Sequence, residues 1–159
     1  MSITVKLPIE VVGDFMRSAP VNVEGLAAAL GLEIQRKNLP DNVSGKIECE
    51  TIGPCKITVN SIHPRTRQRF TIAHEIAHFI LHRDLIGDGI IDDGMYRSGR
   101  SELLERQANQ YAANILMPWQ LVVEKQHRQG ITTALDMAKI FEVSPAVAEI
   151  RLKELQAFF

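Results

Sequence analysis

The spacing of apolar positions along the chain predicts a mostly helical protein with a small sheet near its start. Apolar side chains recur every three or four residues, as on one face of a helix, in two early segments, residues 8–19 and 23–30. Three later segments are short and alternate between apolar and polar side chains, as strands do, at residues 32–35, 45–51 and 56–60. Gly53 and Pro54 supply turn chemistry between the last two, so we expect a hairpin there.

The next predicted helix, residues 65–81, is apolar on almost every side once its polar first turn has ended. Apolar side chains line one face and small ones the other, in a run that includes Ile72, Ile76, Phe79 and Ile80. A helix that is apolar all round is a buried one. We therefore expect this helix at the centre of the fold, shielded from water.

The C-terminal half predicts a loop followed by further helices. Residues 84–99 contain four glycines and four aspartates, which is typical of a long loop. Ser101 is a candidate N-cap for a helix that runs to Leu116. Later helices are predicted at residues 120–128, 132–141 and 145–156. Together the elements predict an α+β fold that is mostly helical, with a three-stranded sheet before the central helix.

Length and composition predict one globular domain of 159 residues. We divide it into N-terminal helices and sheet (1–64), the central helix with its loop and partner helix (65–118), and C-terminal helices (119–159). The net charge of −1 gives no bulk attraction to nucleic acid or acidic membranes. The N-terminus lacks the pattern of a signal peptide, and no apolar run is long enough to span a membrane. We expect a cytoplasmic protein without direct contact to membrane or nucleic acid.

The two cysteines, Cys49 and Cys55, flank the predicted hairpin turn. They are too few for a cysteine-type zinc site. Nothing else in the composition indicates an oxidising compartment, so we expect two reduced thiols. The alternative is that they face each other across the hairpin.

A metal-binding pattern lies on the central helix. His74 and His78 are four residues apart, about one helical turn, so both imidazoles leave one face and can bind the same ion. Glu75 projects beside them, where its carboxylate can take a proton from water at the ion. The pattern His-Glu-x-x-His is that of zinc peptidases, but it is short. A catalytic zinc site needs three protein ligands and an open position for water.

Glu105 is the best candidate for the third ligand. The alanines that share its helical face allow close approach to the small residues beside the histidines, in the set Ala73, Ala77, Ala108 and Ala112. Asn109, one turn beyond Glu105, is placed to accept a hydrogen bond from the free ring nitrogen of a ligand histidine. His82 is the competing ligand, but on a straight helix it lies about 12 Å along the axis from His74. His63 and His127 are expected to be surface or packing histidines.

Two long blocks of sequence resemble the ImmA/IrrE family of bacterial and phage metallo-endopeptidases. One is Arg67–His82, which contains the His-Glu-x-x-His motif, and the other is Glu105–Pro118, which matches the family pattern E-x-x-A-N-x-[FY]-A-A-x-L-L-M-P. The resemblance extends roughly from Val21 to Leu152. Gln107 departs from it, since many relatives carry a second acid at that position, and Ile115 replaces a common leucine.

The resemblance implies a zincin-like minimal metalloprotease domain. It implies His74, His78 and Glu105 as ligands of one zinc ion and Glu75 as the catalytic base; manganese or another divalent metal remains an alternative. Its implied substrate is a helix-turn-helix repressor or antitoxin of the Xre type, encoded nearby, whose cleavage relieves repression in mobile elements, toxin–antitoxin-like pairs or stress responses.

Other roles stay open. Tyr96, Arg97 and Arg100, in or after the glycine-rich loop, are candidates for oxyanion or substrate contacts. Residues 138–152 look like a helix-turn-helix, although Glu149 and Glu154 lie among its basic residues, which favours packing over DNA contact. A sensor or toxin with a non-catalytic metal site is the other alternative, and three rather than four good ligands argue against it.

Overall fold

The computed structural model describes residues 4–86, 90–93 and 99–157 of the chain. Within them the chain forms eight helices and four strands. The helices are α1 (Pro8–Phe15), α2 (Val23–Ala29), α3 (Arg65–Leu81), α4 (Arg83–Ile86), α5 (Gly99–Leu116), α6 (Trp119–Gln129), α7 (Ala134–Phe141) and α8 (Pro145–Gln156). The strands are β1 (Glu33–Lys37), β2 (Val43–Glu48), β3 (Lys56–Asn60) and β4 (Ile90–Asp93). The α+β architecture predicted from the sequence is confirmed.

The four strands form one sheet in the order β1-β3-β2-β4. β1 runs parallel to β3, while β2 is antiparallel to both β3 and β4, so β2 and β3 are the predicted hairpin. The three strands before α3 are confirmed, and β4 is an addition. The prediction of a continuous loop over residues 84–99 is therefore wrong for α4 and β4. β4 is too short for its periodicity to be visible, and it exists through pairing with β2, with Ile90 opposite Ile47.

Cys49 and Cys55 form a disulfide bond, so the expectation of reduced thiols is wrong. The strand register explains why. Glu48, the last residue of β2, lies opposite Lys56, the first residue of β3, and the two cysteines are the next residues outward. The hairpin thus brings them face to face, which was the alternative.

The central helix α3 is buried, as its composition predicts. Every residue from Thr71 to Phe79 is inaccessible or nearly so. The helix packs against β2 and β3 of the sheet and against α5. Gly45 of β2 permits this approach, because a Cβ there would lie 2.7 Å from Thr71 Cγ2 and 2.5 Å from the Thr58 carbonyl oxygen.

Helices α2 and α8 begin at a side-chain cap, whereas the predicted cap at the start of α5 is absent. Asn22 accepts a hydrogen bond from Gly25 N–H at the start of α2, and Ser144 accepts one from Val147 N–H at the start of α8. Ser101 is not an N-cap, since α5 already begins at Gly99. In the part of the chain that the structure describes, none of the helices has the length and apolar character needed to cross a membrane.

Two buried arginines tie the C-terminal helices to the rest of the fold. Arg69 of α3 donates to the carbonyl oxygens of Phe141 and Glu142, at the end of α7, at 3.3 and 3.1 Å. Arg151 of α8 donates to the carbonyl oxygen of Met117, just after α5, at 3.0 Å. The last carbonyls of a helix have no partner within it, and a cation there also favours the helix dipole.

We expect Arg69→Met to lower the free energy of unfolding by about 2 kcal/mol, because it leaves buried carbonyls without their charged donor. Denaturant titration measures this loss. The matched control is Arg65→Met, which removes an exposed ion pair to Glu142 and should cost less than about 1 kcal/mol. Equal losses in the two variants would contradict a role for Arg69 at the end of α7.

Candidate metal centre

The candidate site lies where α3 and α5 pack together. The small residues predicted at this contact are fully buried, namely Ala73, Ala77, Ala108 and Ala112. Because these side chains are only methyl groups, the two helices can come close enough for a glutamate on one to reach histidines on the other. Helix α3 thus supplies His74 and His78, and α5 supplies Glu105.

The side chains of His74, His78 and Glu105 converge. The two Nε2 atoms are 3.1 Å apart, and each lies 3.0 Å from an oxygen of the Glu105 carboxylate. One potential ligand atom from each of the three residues lies within 4.8 Å of the other two. The two histidines are buried, while the Glu105 side chain is 25% exposed. Solvent therefore reaches the three side chains from the Glu105 side.

Each histidine is oriented by a second hydrogen bond at its other ring nitrogen. His74 Nδ1 donates to Asn109 Oδ1 at 2.8 Å, which leaves the Nε2 lone pair directed at the cluster. His78 Nδ1 lies 2.9 Å from Nδ1 of His82. His82 in turn places its Nε2 2.7 Å from Gln107 Oε1. Such outer partners are what hold metal-ligating imidazoles in the correct tautomer.

Glu75 follows His74 on α3 and is completely buried. It is not part of the converging donor group, which contains only Glu105 as a carboxylate. Glu75 therefore adjoins the donor residue His74 in the chain without belonging to the donor group.

The local electrostatics favour the protonation states that bind cations. Burial raises the pKa of the Glu105 carboxyl, but hydrogen bonds and charge from His74 and His78, when these imidazoles are protonated, outweigh it and hold that pKa well below its usual value. Burial lowers the pKa of the His78 imidazole, and the Glu105 carboxylate only partly opposes this. At neutral pH the site therefore combines an ionised carboxylate with a neutral imidazole.

The donor set fits a divalent metal such as zinc. Zinc binds imidazole nitrogen and carboxylate oxygen at about 2.0–2.2 Å, and tetrahedral angles then put ligand atoms about 3.3 Å apart. The separations of 3.0–3.1 Å in this cluster are close to that spacing. Three protein donors leave one position of a tetrahedron for water or substrate.

The other sequence-derived candidates have different outcomes. Tyr96 and Arg97 lie outside the described residues, and of Arg100 only the position in the first turn of α5 is described. His63 is buried and contacts the carbonyl oxygen of Asp41, which is a packing role. His127 is exposed on α6.

His82 and Gln107 were not assigned to the site from the sequence, and the structure adds them. In the sequence, His82 stands out only as a competing ligand, and Gln107 only as a departure from the family pattern. The available signal was the continued spacing of four residues from His78 to His82, which places two imidazoles in contact on one helix face.

The fold and the donor cluster together define a minimal domain of the His-Glu-x-x-His metallopeptidase class. Comparison with known proteins agrees: residues 27–153 match the Peptidase_M78 family model, described as the IrrE N-terminal-like domain. The chain belongs to this family, as the two sequence blocks predict.

Two similar relatives are radiation response metalloproteases named IrrE. The protein from Deinococcus radiodurans is 31% identical in an alignment that covers 96% of this chain and 51% of the relative. The one from Deinococcus deserti is 36% identical over 64% of this chain and 37% of the relative. The chain thus spans about half the length, or less, of these relatives.

A solved structure supports the fold. The Mycobacterium tuberculosis transcriptional regulator superposes with a TM-score of 0.57 over 89% of this chain and 44% of the regulator, at 18% identity. At that identity the likeness concerns the architecture alone.

We expect Glu105→Gln to weaken zinc binding by at least tenfold, because the amide keeps the shape of the side chain but loses the negative charge that the ion pairs with. Competition against a chromophoric chelator measures the dissociation constant. Glu102→Gln, an exposed change on the same helix, is the control and should leave it unchanged. Equal affinity for all three proteins would remove Glu105 from the ligand set.

We expect the metal-free protein to lose stability as the pH falls from about 7 to 5. Burial holds the pKa of folded His78 below its usual value of 6.5, so the unfolded chain binds more protons in this range and acid favours unfolding. The low pKa of Glu105 continues the loss below the usual value of 4.5. Denaturant unfolding at each pH tests this, and a His78→Gln variant should show a shallower dependence between pH 7 and 5.

Proposed function

We propose that the chain is a zinc-dependent endopeptidase that cleaves a helix-turn-helix repressor or antitoxin of the Xre type. The observation that carries the proposal is the cluster of two buried imidazoles and one partly buried carboxylate, with Glu75 next to His74 on the same helix. The ligands are His74, His78 and Glu105. Imidazole with carboxylate and an open position is the donor set of catalytic rather than structural zinc.

The catalytic base in this proposal is Glu75. A zinc ion held by His74, His78 and Glu105 would supply Lewis acidity, which lowers the pKa of water to about 7 and polarises a carbonyl group. Glu75 accepts the proton that the attacking water gives up and passes it to the nitrogen of the leaving amine. Because Glu75 is completely buried, bulk water does not solvate its carboxylate. His74 and His78 are held for ligation by their outer hydrogen bonds.

The sheet offers a way to bind the substrate. Its two outer strands are β1 and β4, and β4 follows α3 directly after α4. An extended peptide can add to such an outer strand through main-chain hydrogen bonds, which would present its backbone in a fixed register. We assign this role to the β4 side, because β4 pairs with β2, which makes a larger contact with α3 than β3 does.

The proposed substrate is a transcription regulator that is encoded near the gene of this chain. We therefore place the reaction in the cytoplasm. The biological setting would be a mobile element, a toxin–antitoxin-like pair or a stress response. The relatives named radiation response metalloproteases fit a stress-linked role. Cleavage, rather than competition for DNA, would then relieve repression.

The described surface of α8 favours proteolysis over DNA binding by this chain. Arg151, the basic residue nearest the middle of α8, is 8% exposed and donates inward to Met117. Lys153 pairs with Glu149 at 3.3 Å. Ile150 is 59% exposed. A helix that reads DNA needs a basic face, which these residues do not form.

We expect Glu75→Gln to reduce cleavage of the neighbouring Xre-type repressor about 10²- to 10⁴-fold while zinc content stays at the wild-type level, because only the proton acceptor is lost. Gel electrophoresis with mass spectrometry of the products gives the rate, and elemental analysis gives the zinc content. Glu102→Gln is the surface control. Wild-type cleavage by Glu75→Gln would reject the assigned base, and an intact repressor after incubation with the zinc-loaded wild type would reject the substrate.

A further inference from the structure

A chain of hydrogen bonds leads from the candidate metal cluster to the opposite helix through residues that no metal would contact. It runs from His78 Nδ1 to His82 Nδ1 at 2.9 Å, and from His82 Nε2 to Gln107 Oε1 at 2.7 Å. His82 is buried, with 6% of its surface exposed. Both distances are those of good hydrogen bonds.

The last acceptor, Gln107, determines which atom donates in each of these hydrogen bonds. The side-chain oxygen of Gln107 can only accept, so His82 Nε2 must carry a hydrogen. A neutral His82 then has a bare Nδ1, which can only accept from the Nδ1–H of His78. His78 is thereby left with its Nε2 lone pair free, and this is the atom that lies 3.0 Å from Glu105 and 3.1 Å from His74 Nε2.

The backbone holds His82 in place for this contact. His82 is the C-cap residue of α3, and its N–H donates to the His78 carbonyl oxygen at 2.8 Å. The same pair of residues is thus joined by both main chain and side chains. α5 supplies both ends of the arrangement, since Glu105 and Gln107 are two residues apart.

We propose that His82 and Gln107 are positioning residues that fix the tautomer of His78 and thereby set the metal affinity of the site. This inference rests on the proposed function for the role of His78 as a ligand. Asn109 orients His74 through one hydrogen bond to a side-chain oxygen. His78 reaches an equivalent oxygen only through an intervening imidazole, so its orientation depends on two residues, one of them on the partner helix.

The test measures zinc dissociation constants by chelator competition for the wild type, His82→Phe and Gln107→Leu. We expect zinc to bind about 10- to 100-fold more weakly to His82→Phe, the usual effect of removing an outer partner of a ligand. Gln107→Leu should weaken it by a smaller factor, and Gln107→Glu should restore at least wild-type affinity because its carboxylate also accepts from His82 Nε2–H. Gln110→Leu, an exposed glutamine on the same helix, is the matched control.

Proton and nitrogen NMR of the histidine rings gives a readout that general destabilisation would not move. In zinc-loaded wild type the Nδ1–H of His78 should give a downfield resonance protected from exchange with solvent. In His82→Phe that protection should disappear, and in Gln107→Leu it should decrease, while Gln110→Leu keeps it.

Unchanged zinc affinity and an unchanged His78 resonance in Gln107→Leu would overturn the positioning role of His82 and Gln107, even if His82→Phe failed to fold. A wild-type protein that binds no zinc would instead overturn the proposed function, and with it the positioning role of His82 and Gln107. Tight zinc binding by the wild type with weaker binding by both variants, restored in Gln107→Glu, would support both.

Discussion

The close packing of α3 on α5 is the contact on which the rest of the site depends. Two histidines on one helix cannot complete a metal site, because the third donor must come from elsewhere in the chain. Buried alanines on both helices let the backbones approach until Glu105 meets both Nε2 atoms. Larger side chains at these positions would separate the donors, so the chemistry rests on the absence of side-chain volume as much as on the donors themselves.

The surrounding fold supplies rigidity and exclusion of water. α3 is buried against the sheet along its whole middle section, and Gly45 lets β2 lie close to it. At its start, Arg69 joins α3 to the end of α7. At its end, His82 joins it to α5. The helix that carries the donors is therefore tied to three parts of the structure, and its histidines have little freedom to turn away from one another.

The protonation states and hydrogen-bond partners around the site also suit a bound cation. An ionised Glu105 and a neutral His78 are the forms that a cation needs, and burial together with mutual contacts favours both. The outer acceptors on the histidines are neutral amides rather than carboxylates, Asn109 directly and Gln107 through His82. Glu105 is thus the single acid among the donors, which keeps the net charge of the loaded site positive.

The sequence by itself determined the central helix, the three strands before it and the hairpin, and it marked His74, Glu75, His78, Glu105 and Asn109 as candidate site residues, because helical spacing, alternation and two long family blocks are local signals. Only the tertiary structure decided the rest. β4 forms through its pairing with β2, the disulfide through the register of the hairpin, and the contact of His82 with Gln107 through the packing of two helices. Each of these three features depends on residues far apart in the chain or on an exact strand register. The periodicity of a single segment encodes neither long-range contacts nor register.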